Sequence, residues 1–190
     1  MALNPEMIRE FVIASHFNLD KIKAMLAEEP ELLTAQHQWG PDDYEDGIGA
    51  GAHVGNRPIV EFFLEQGVTG NICVAAMLGQ ADAVAAYLQA DPAQANATGA
   101  HQITVLFHAA MSGNVAVAEL LKNHGCTQGY NHAVHGAINH GHLAMVEWLL
   151  NNGASDLTVL DYQGKTPLQR AEESDQPDIA ALLRQHGAVS

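Results

Sequence analysis

The stretch DYQGKTPLQRAEESDQPDIAALLRQHGA, residues 161–188, carries the pattern that organises the whole chain. It reads as a turn, a short first helix and a longer apolar second helix. The same layout recurs upstream as HAVHGAINHGHLAMVEWLLNNGA (132–154) and as TVLFHAAMSGNVAVAELLKNHG from Thr104. It recurs again as NICVAAMLGQADAVAAYLQADP from Asn71, and more loosely as GIGAGAHVGNRPIVEFFLEQG from Gly47 and IREFVIASHFNLDKIKAMLAEEP from Ile8. Small residues such as Ala75-Ala76 and Ala109-Ala110 on each first helix let neighbouring units approach closely. The second helices bury one face, through sets such as Ile59, Val60, Phe62, Phe63 and Leu64, or Met145, Val146, Trp148, Leu149 and Leu150. Gly55, Gly79, Gly113 and Gly141 stand between the two helices, where the chain ends one helix in a left-handed residue and reverses. One such pair cannot bury its own apolar face, whereas stacked pairs can.

Residues 161–188 resemble the ankyrin repeat, whose run is D-x-x-G-x-T-P-L-H, then A-A-x-x-G-H, then an apolar helix ending L-L-x-x-G-A. Asp161, Gly164, Thr166, Pro167, Leu168, Ala171, Leu182, Leu183, Gly187 and Ala188 match, while Gln169 replaces the His and Asp175 the inter-helix Gly. In the preceding unit Val134, His135, Ala137, Gly141, His142, Leu149, Leu150, Gly153 and Ala154 match. The resemblance implies an all-α fold, a single solenoid domain over 1–190 of about six helix-turn-helix units, the outer two acting as caps. The units open near residues 8, 46, 70, 104, 132 and 166, so the connections between them are uneven. GVTGN and GCTQGYN are too short for a full β-turn finger, and tall fingers are expected only near 33–45, 93–103 and 155–165. This alternation is similar to a bacterial branch of the family.

Composition limits the function classes. The 190 residues are 47% hydrophobic, enough for a continuous core. No signal peptide and no apolar run long enough for a membrane helix is read, so the expected location is cytoplasmic. Cys73 and Cys126 lie far apart without CxxC spacing and are expected as buried thiols. The net charge is −14, and no Lys or Arg occurs from Pro58 to Leu121. That field repels nucleic-acid phosphates and points to a protein partner that is basic or apolar at the contact.

Four histidines crowd residues 132–142 and suggest a metal centre. In the register of the family, however, His135 hydrogen-bonds the adjoining turns and His142 serves the inter-helix bend, which leaves only His132 and His140 free. No HExxH or cysteine partner accompanies them. No metal or cofactor is therefore expected, and a histidine-based metal-binding or hydrolytic protein is the rival from another class. GIGAGAHVG echoes a dinucleotide loop but follows YED rather than an apolar strand, so it reads as a first helix. No G-x-S-x-G occurs. Asp42, Asp43, Glu45 and Asp46 lack calcium-loop spacing and read as a solvated acidic finger.

No catalytic residues are assigned, and the reading that remains is recognition. The family grips partners with its fingers and with the two residues before each inter-helix Gly. On this chain the expected contacts are Trp39, Tyr44, His53, Val54, Met77, Leu78, Met111, Ser112, Asn139 and His140. Met77, Leu78 and Met111 form an apolar centre, and Trp39 and Tyr44 sit beside the carboxylates of the first finger. His16, His53, His108 and His140 are expected along the same face, where protonation makes binding of a basic partner weakly pH-dependent. The function expected is a non-catalytic protein-interaction module. The alternative is an immunity-like inhibitor of one toxin or enzyme.

Overall fold

The computed structural model describes residues 3–189. Its helices fall into six successive pairs: α1 (Pro5–Ala14) with α2 (Leu19–Glu28), α3 (Gly47–His53) with α4 (Arg57–Glu65), and α5 (Ile72–Met77) with α6 (Ala81–Ala90). The remaining pairs are α7 (Val105–Ser112) with α8 (Val115–Asn123), α9 (Tyr130–Asn139) with α10 (Leu143–Asn152), and α11 (Pro167–Glu173) with α12 (Pro177–Gln185). Strands β1 (Gln36–Gly40) and β2 (Asp43–Asp46) form one antiparallel hairpin before α3.

The helix starts follow from capping chemistry. Side chains of Asn4, Asn18, Asp46, Asn56, Asn71, Thr104, Asn114 and Thr166 each accept a backbone N–H of the first turn that follows. Gln169, which departs from the family's His, completes a capping box: its Oε1 accepts from Thr166 N at 3.0 Å while Thr166 Oγ1 accepts from Gln169 N. Asp175, which departs from the family's Gly, adopts φ +52, a left-handed conformation that Asp tolerates better than bulkier residues.

The first helices stack in chain order, and α6, α8, α10 and α12 stack behind them. Ala75, Ala76, Ala109, Ala110, Ala133 and Ala137 are buried where α5, α7 and α9 meet. A Cβ on Gly136 would lie 3.1 Å from Phe107 O, so a methyl there fits only if the facing backbone gives by a few tenths of an ångström. Leu88, Leu121, Met145, Leu149 and Leu183 fill the space behind. At the N-terminal end the core is bulkier, with Phe11 and Phe63 edge-to-face at 6.0 Å.

A ladder of side-chain bonds joins successive inter-helix turns. Asn56 Nδ2 donates to His16 O (3.0 Å), Asn114 Nδ2 to Gly79 O (2.8 Å), His142 Nε2 to Met111 O (3.0 Å) and Gln176 Nε2 to Ile138 O (2.8 Å). At the second seam the bond runs the other way, from Arg57 Nη2 to Leu78 O (2.9 Å). At His16, Leu78 and Met111 the bond satisfies a carbonyl that the helix end leaves free, whereas Gly79 O and Ile138 O also accept a local backbone N–H.

Links 66–71 and 124–129 contain no strand, whereas the other three links project. The first is the hairpin, the second closes on a Thr98–Thr104 bridge, and the third turns around Asp161, which accepts from Gln163 N and Lys165 N and pairs with Arg170. The tight packing of the inner edge corrects one expectation. Met77, Leu78 and Met111 are only 3%, 6% and 6% exposed and belong to the core. The Gly55 turn and the His140 ring lie over Met111: a Cβ at Gly55 would meet His140 Nε2 at 2.5 Å and Met111 Sδ at 3.4 Å. His108 is also buried and does not line an open face.

Gly113 and Gly164 share φ values of +70 and +74, but a Cβ meets the His142 ring at 2.6 Å in the first case and nothing within 4 Å in the second. Gly164→Ala should therefore cost about 1–2 kcal/mol from left-handed strain alone. Gly113→Ala should cost more, since it also displaces His142 from Met111 O. Urea unfolding of the two variants measures the difference.

Candidate functional site

A groove of about 870 Å³ runs between the second and third fingers and the exposed ends of α3, α7 and α9. Its lining mixes rings and apolar side chains: His53, Val54, His101, Phe107, Met111, His132, His135, Asn139, His140, Leu160 and Tyr162. The rim residues Val54, Leu160 and Tyr162 are 40%, 54% and 85% exposed.

Of the expected contacts, the groove brings together His53, Val54, Met111, Asn139 and His140. Met77 and Leu78 lie in the core instead. Ser112 is bound into its own turn, with Oγ donating to Ala109 O (2.7 Å) and accepting from Asn114 N. Tyr44 points outward from the hairpin and away from the groove lining. Trp39 turns inward, where its Nε1–H donates to Glu45 Oε2 at 2.7 Å and Arg9 lies over its ring.

That inward turn corrects the reading of the acidic finger. His37, Trp39, Asp43 and Glu45 share one face of the hairpin, because strand side chains alternate and His37 pairs with Glu45. Glu45 is 1% exposed and is surrounded by imidazoles. His53 Nδ1 lies 2.9 Å and His16 Nε2 3.7 Å from its Oε1, and His101 Nε2 lies 3.6 Å from its Oε2. Asp43 fixes His101 by accepting from both its backbone N–H (2.9 Å) and its Nδ1 (2.8 Å). Asp46 caps α3. Only Asp42, at the tight end of the hairpin with φ +58, remains a solvated carboxylate.

Electrostatics follow from this geometry. Burial works to raise the Glu45 pKa, but the His53 ring, the Trp39 N–H and His16 outweigh it, and the net shift is downward. The Asp43 carboxyl is lowered chiefly by the His101 backbone N–H. His108 moves to about 4 because burial disfavours its charged form, an effect its Nδ1–H bond to Thr104 O only partly offsets. Burial likewise lowers His135 and His140. His140 keeps an exposed side, but its ring is packed on the Gly55 turn. Burial pushes the Cys73 thiol up to about 12 and raises Cys126 too, so both free thiols are poor nucleophiles.

The crowded histidines of 132–142 do not converge. His135 Nε2 donates to Val159 O (2.9 Å) and His142 Nε2 to Met111 O, so both serve the scaffold. His101, Phe107, Leu160 and Tyr162 line the groove but were not among the contacts expected from the sequence. Tyr162 carried a usable signal, being an aromatic residue beside the turn-forming Asp161 at a finger tip.

The sequence has counterparts among known proteins. Residues 72–161 and 128–189 match the family model for ankyrin repeats, and the chain belongs to the ankyrin-repeat family. It is 28% identical over 186 residues to ankyrin repeat protein nuc-2 of Neurospora crassa, across 90% of this chain but 17% of that protein. The chain thus spans only a small part of the fungal relative's length. It is 33% identical over 125 residues to cyclin-dependent kinase 4 inhibitor B of Rattus norvegicus, across 62% of this chain and 92% of that one. The Bos taurus inhibitor of the same name is 33% identical over 126 residues. Ankyrin repeats are protein-interaction modules, and no helix among the described residues is long and apolar enough to cross a membrane.

At His108 the folded state refuses a proton that the unfolded chain accepts below about 6.5. The stability conferred by neutral His108 is therefore present above that pH and lost as pH falls through about 4. Urea unfolding between pH 7 and 4 should show this slope, and His108→Gln should flatten part of it; His135, His140 and, toward pH 4, Glu45 contribute in the same direction. Separately, Trp39→Phe removes a donor from a buried carboxylate and should cost about 1–3 kcal/mol. The exposed control Tyr44→Ala should stay within about 0.5 kcal/mol.

Proposed function

We propose that the chain is a non-catalytic binding protein that takes an extended segment of a partner protein into the groove between its second and third fingers. The observation that carries this reading is the exposed apolar rim of Val54, Leu160 and Tyr162 around a groove floored by Phe107. Apolar and aromatic anchors of this kind supply most of the energy of an interface, and a polar surround excludes water. Asn139, His132 and His140 provide that surround here.

The charge of −14 supports a partner that is basic next to its apolar anchor and argues against a nucleic acid. Two free, buried thiols are in keeping with a cytoplasmic setting. A narrower reading, in which the bound protein is an enzyme whose activity is blocked, is favoured by the similarity to proteins named as inhibitors of a cyclin-dependent kinase. The fold alone does not choose between these, since ankyrin surfaces vary independently of their scaffold.

Affinity capture from the native cell, read by mass spectrometry, identifies the partner, and titration then tests the surface. Tyr162→Asp and Leu160→Asp should each weaken binding about tenfold or more. The thermal midpoint should stay unchanged, because both side chains are exposed. If the partner is an enzyme, the wild-type chain should inhibit it and Tyr162→Asp should not. Undiminished affinity in both variants would move the site away from this groove.

A further inference from the structure

We propose that His16, Glu45 and His53, with His101 at their open side, form a binding site for a divalent first-row transition metal of the zinc type. The three first-named residues come from the turn after α1, from β2 and from the end of α3, and their ligating atoms all lie within 4.8 Å of one another. The inference does not depend on the groove's binding a protein.

The His16 tautomer leaves a lone pair facing Glu45. His16 Nδ1 lies 2.9 Å from Val12 O and 3.2 Å from Ile13 O, acceptors only, so Nδ1 carries the hydrogen of the neutral ring. Its Nε2 then presents a lone pair to Glu45 Oε1 at 3.7 Å, too far for a hydrogen bond even if protonated. His53 Nδ1 lies 2.9 Å from the same oxygen, yet the ring is not oriented to aim an N–H at it, and both atoms are buried without a hydrogen-bond partner. The Glu45 side chain is fully buried, and buried polar atoms are as a rule satisfied. A cation among the three satisfies all of them at once.

The spacing and the surroundings fit such an ion. Zinc–ligand bonds of about 2.0–2.2 Å in a tetrahedral array place neighbouring ligand atoms about 3.4 Å apart. The separations of 2.9 and 3.7 Å at Glu45 Oε1 fall on either side of that value. His16, Glu45 and His101 each have the outer partner that metal ligands generally use. His16 donates Nδ1–H to a backbone carbonyl, and Glu45 Oε2 accepts from Trp39 Nε1. His101 is set by Asp43, and its backbone and that of Gln102 adopt left-handed φ values of +56 and +58, which places the ring over Glu45. Two imidazoles and one carboxylate, without thiolate, suit zinc, iron(II), cobalt or nickel, whereas calcium and magnesium want oxygen alone. His53 and His101 also line the groove, which gives the ion a path in.

The test uses the full-length untagged chain, stripped with chelator and titrated with Zn²⁺ by calorimetry and with Co²⁺ by visible absorption. One equivalent should bind, raise the thermal midpoint and give Co²⁺ ligand-field bands. His16→Asn, His53→Ala and Glu45→Gln should each lower Zn²⁺ affinity at least about tenfold, and Trp39→Phe should lower it with every ligand in place. His132→Ala and His140→Ala should leave it unchanged. No stoichiometric binding by the wild-type chain would overturn the proposal, whatever the folding of the variants. So would Zn²⁺ binding that survives both His16→Asn and His53→Ala but is lost in His132→Ala, which would place the ion on the other histidines.

Discussion

Close approach of the first helices is the constraint on which the rest of this molecule depends. Ala75, Ala109, Ala110, Ala133 and Gly136 leave so little between successive backbones that a single added methyl at Gly136 meets a main-chain oxygen. At that spacing the inter-helix turns come within reach of one another, and Asn56, Asn114, His142 and Gln176 can each bond the carbonyl of the turn before. Larger residues on the first helices would open the seams and break those bonds. The core and the ladder are thus two consequences of one stacking distance.

The same closeness decides which residues remain open to a partner. In a more loosely stacked array Met77, Leu78 and Met111 would stand on the inner surface. Here the inner edge is drawn tight by links 66–71 and 124–129, and His140 lies against the Gly55 turn over Met111. Apolar surface covered in this way stabilises the fold instead of recruiting a partner. The open surface moves toward the fingers, where Leu160 and Tyr162 project.

The first finger has a role other than projection. Its register turns Glu45 inward beneath Trp39 and among three imidazoles, while the second finger reaches across so that His101 meets Asp43. A carboxylate removed from water needs compensation, and the first two units and the second finger all contribute to it. The hairpin is thereby tied to both neighbours, and the end of the groove acquires a concentration of nitrogen and oxygen donors.

Repeat number, helix placement and the long and short links were legible in the chain, because they rest on local properties: apolar periodicity, small residues on first helices, and turn residues at fixed offsets. His135 and His142 were legible as scaffold through the resemblance to the ankyrin repeat. The convergence of His16, Glu45, His53 and His101 was not, since they are scattered from residue 16 to 101 and no spacing between them repeats. DDYED looked solvated because composition does not say which face a strand turns inward. A one-residue change of register would have put Glu45 in water and Tyr44 in the core. By itself the sequence determined a solenoid of helix pairs; the tertiary structure decided which side chains that solenoid buries, because burial here depends on stacking distance and strand register, which no single unit encodes.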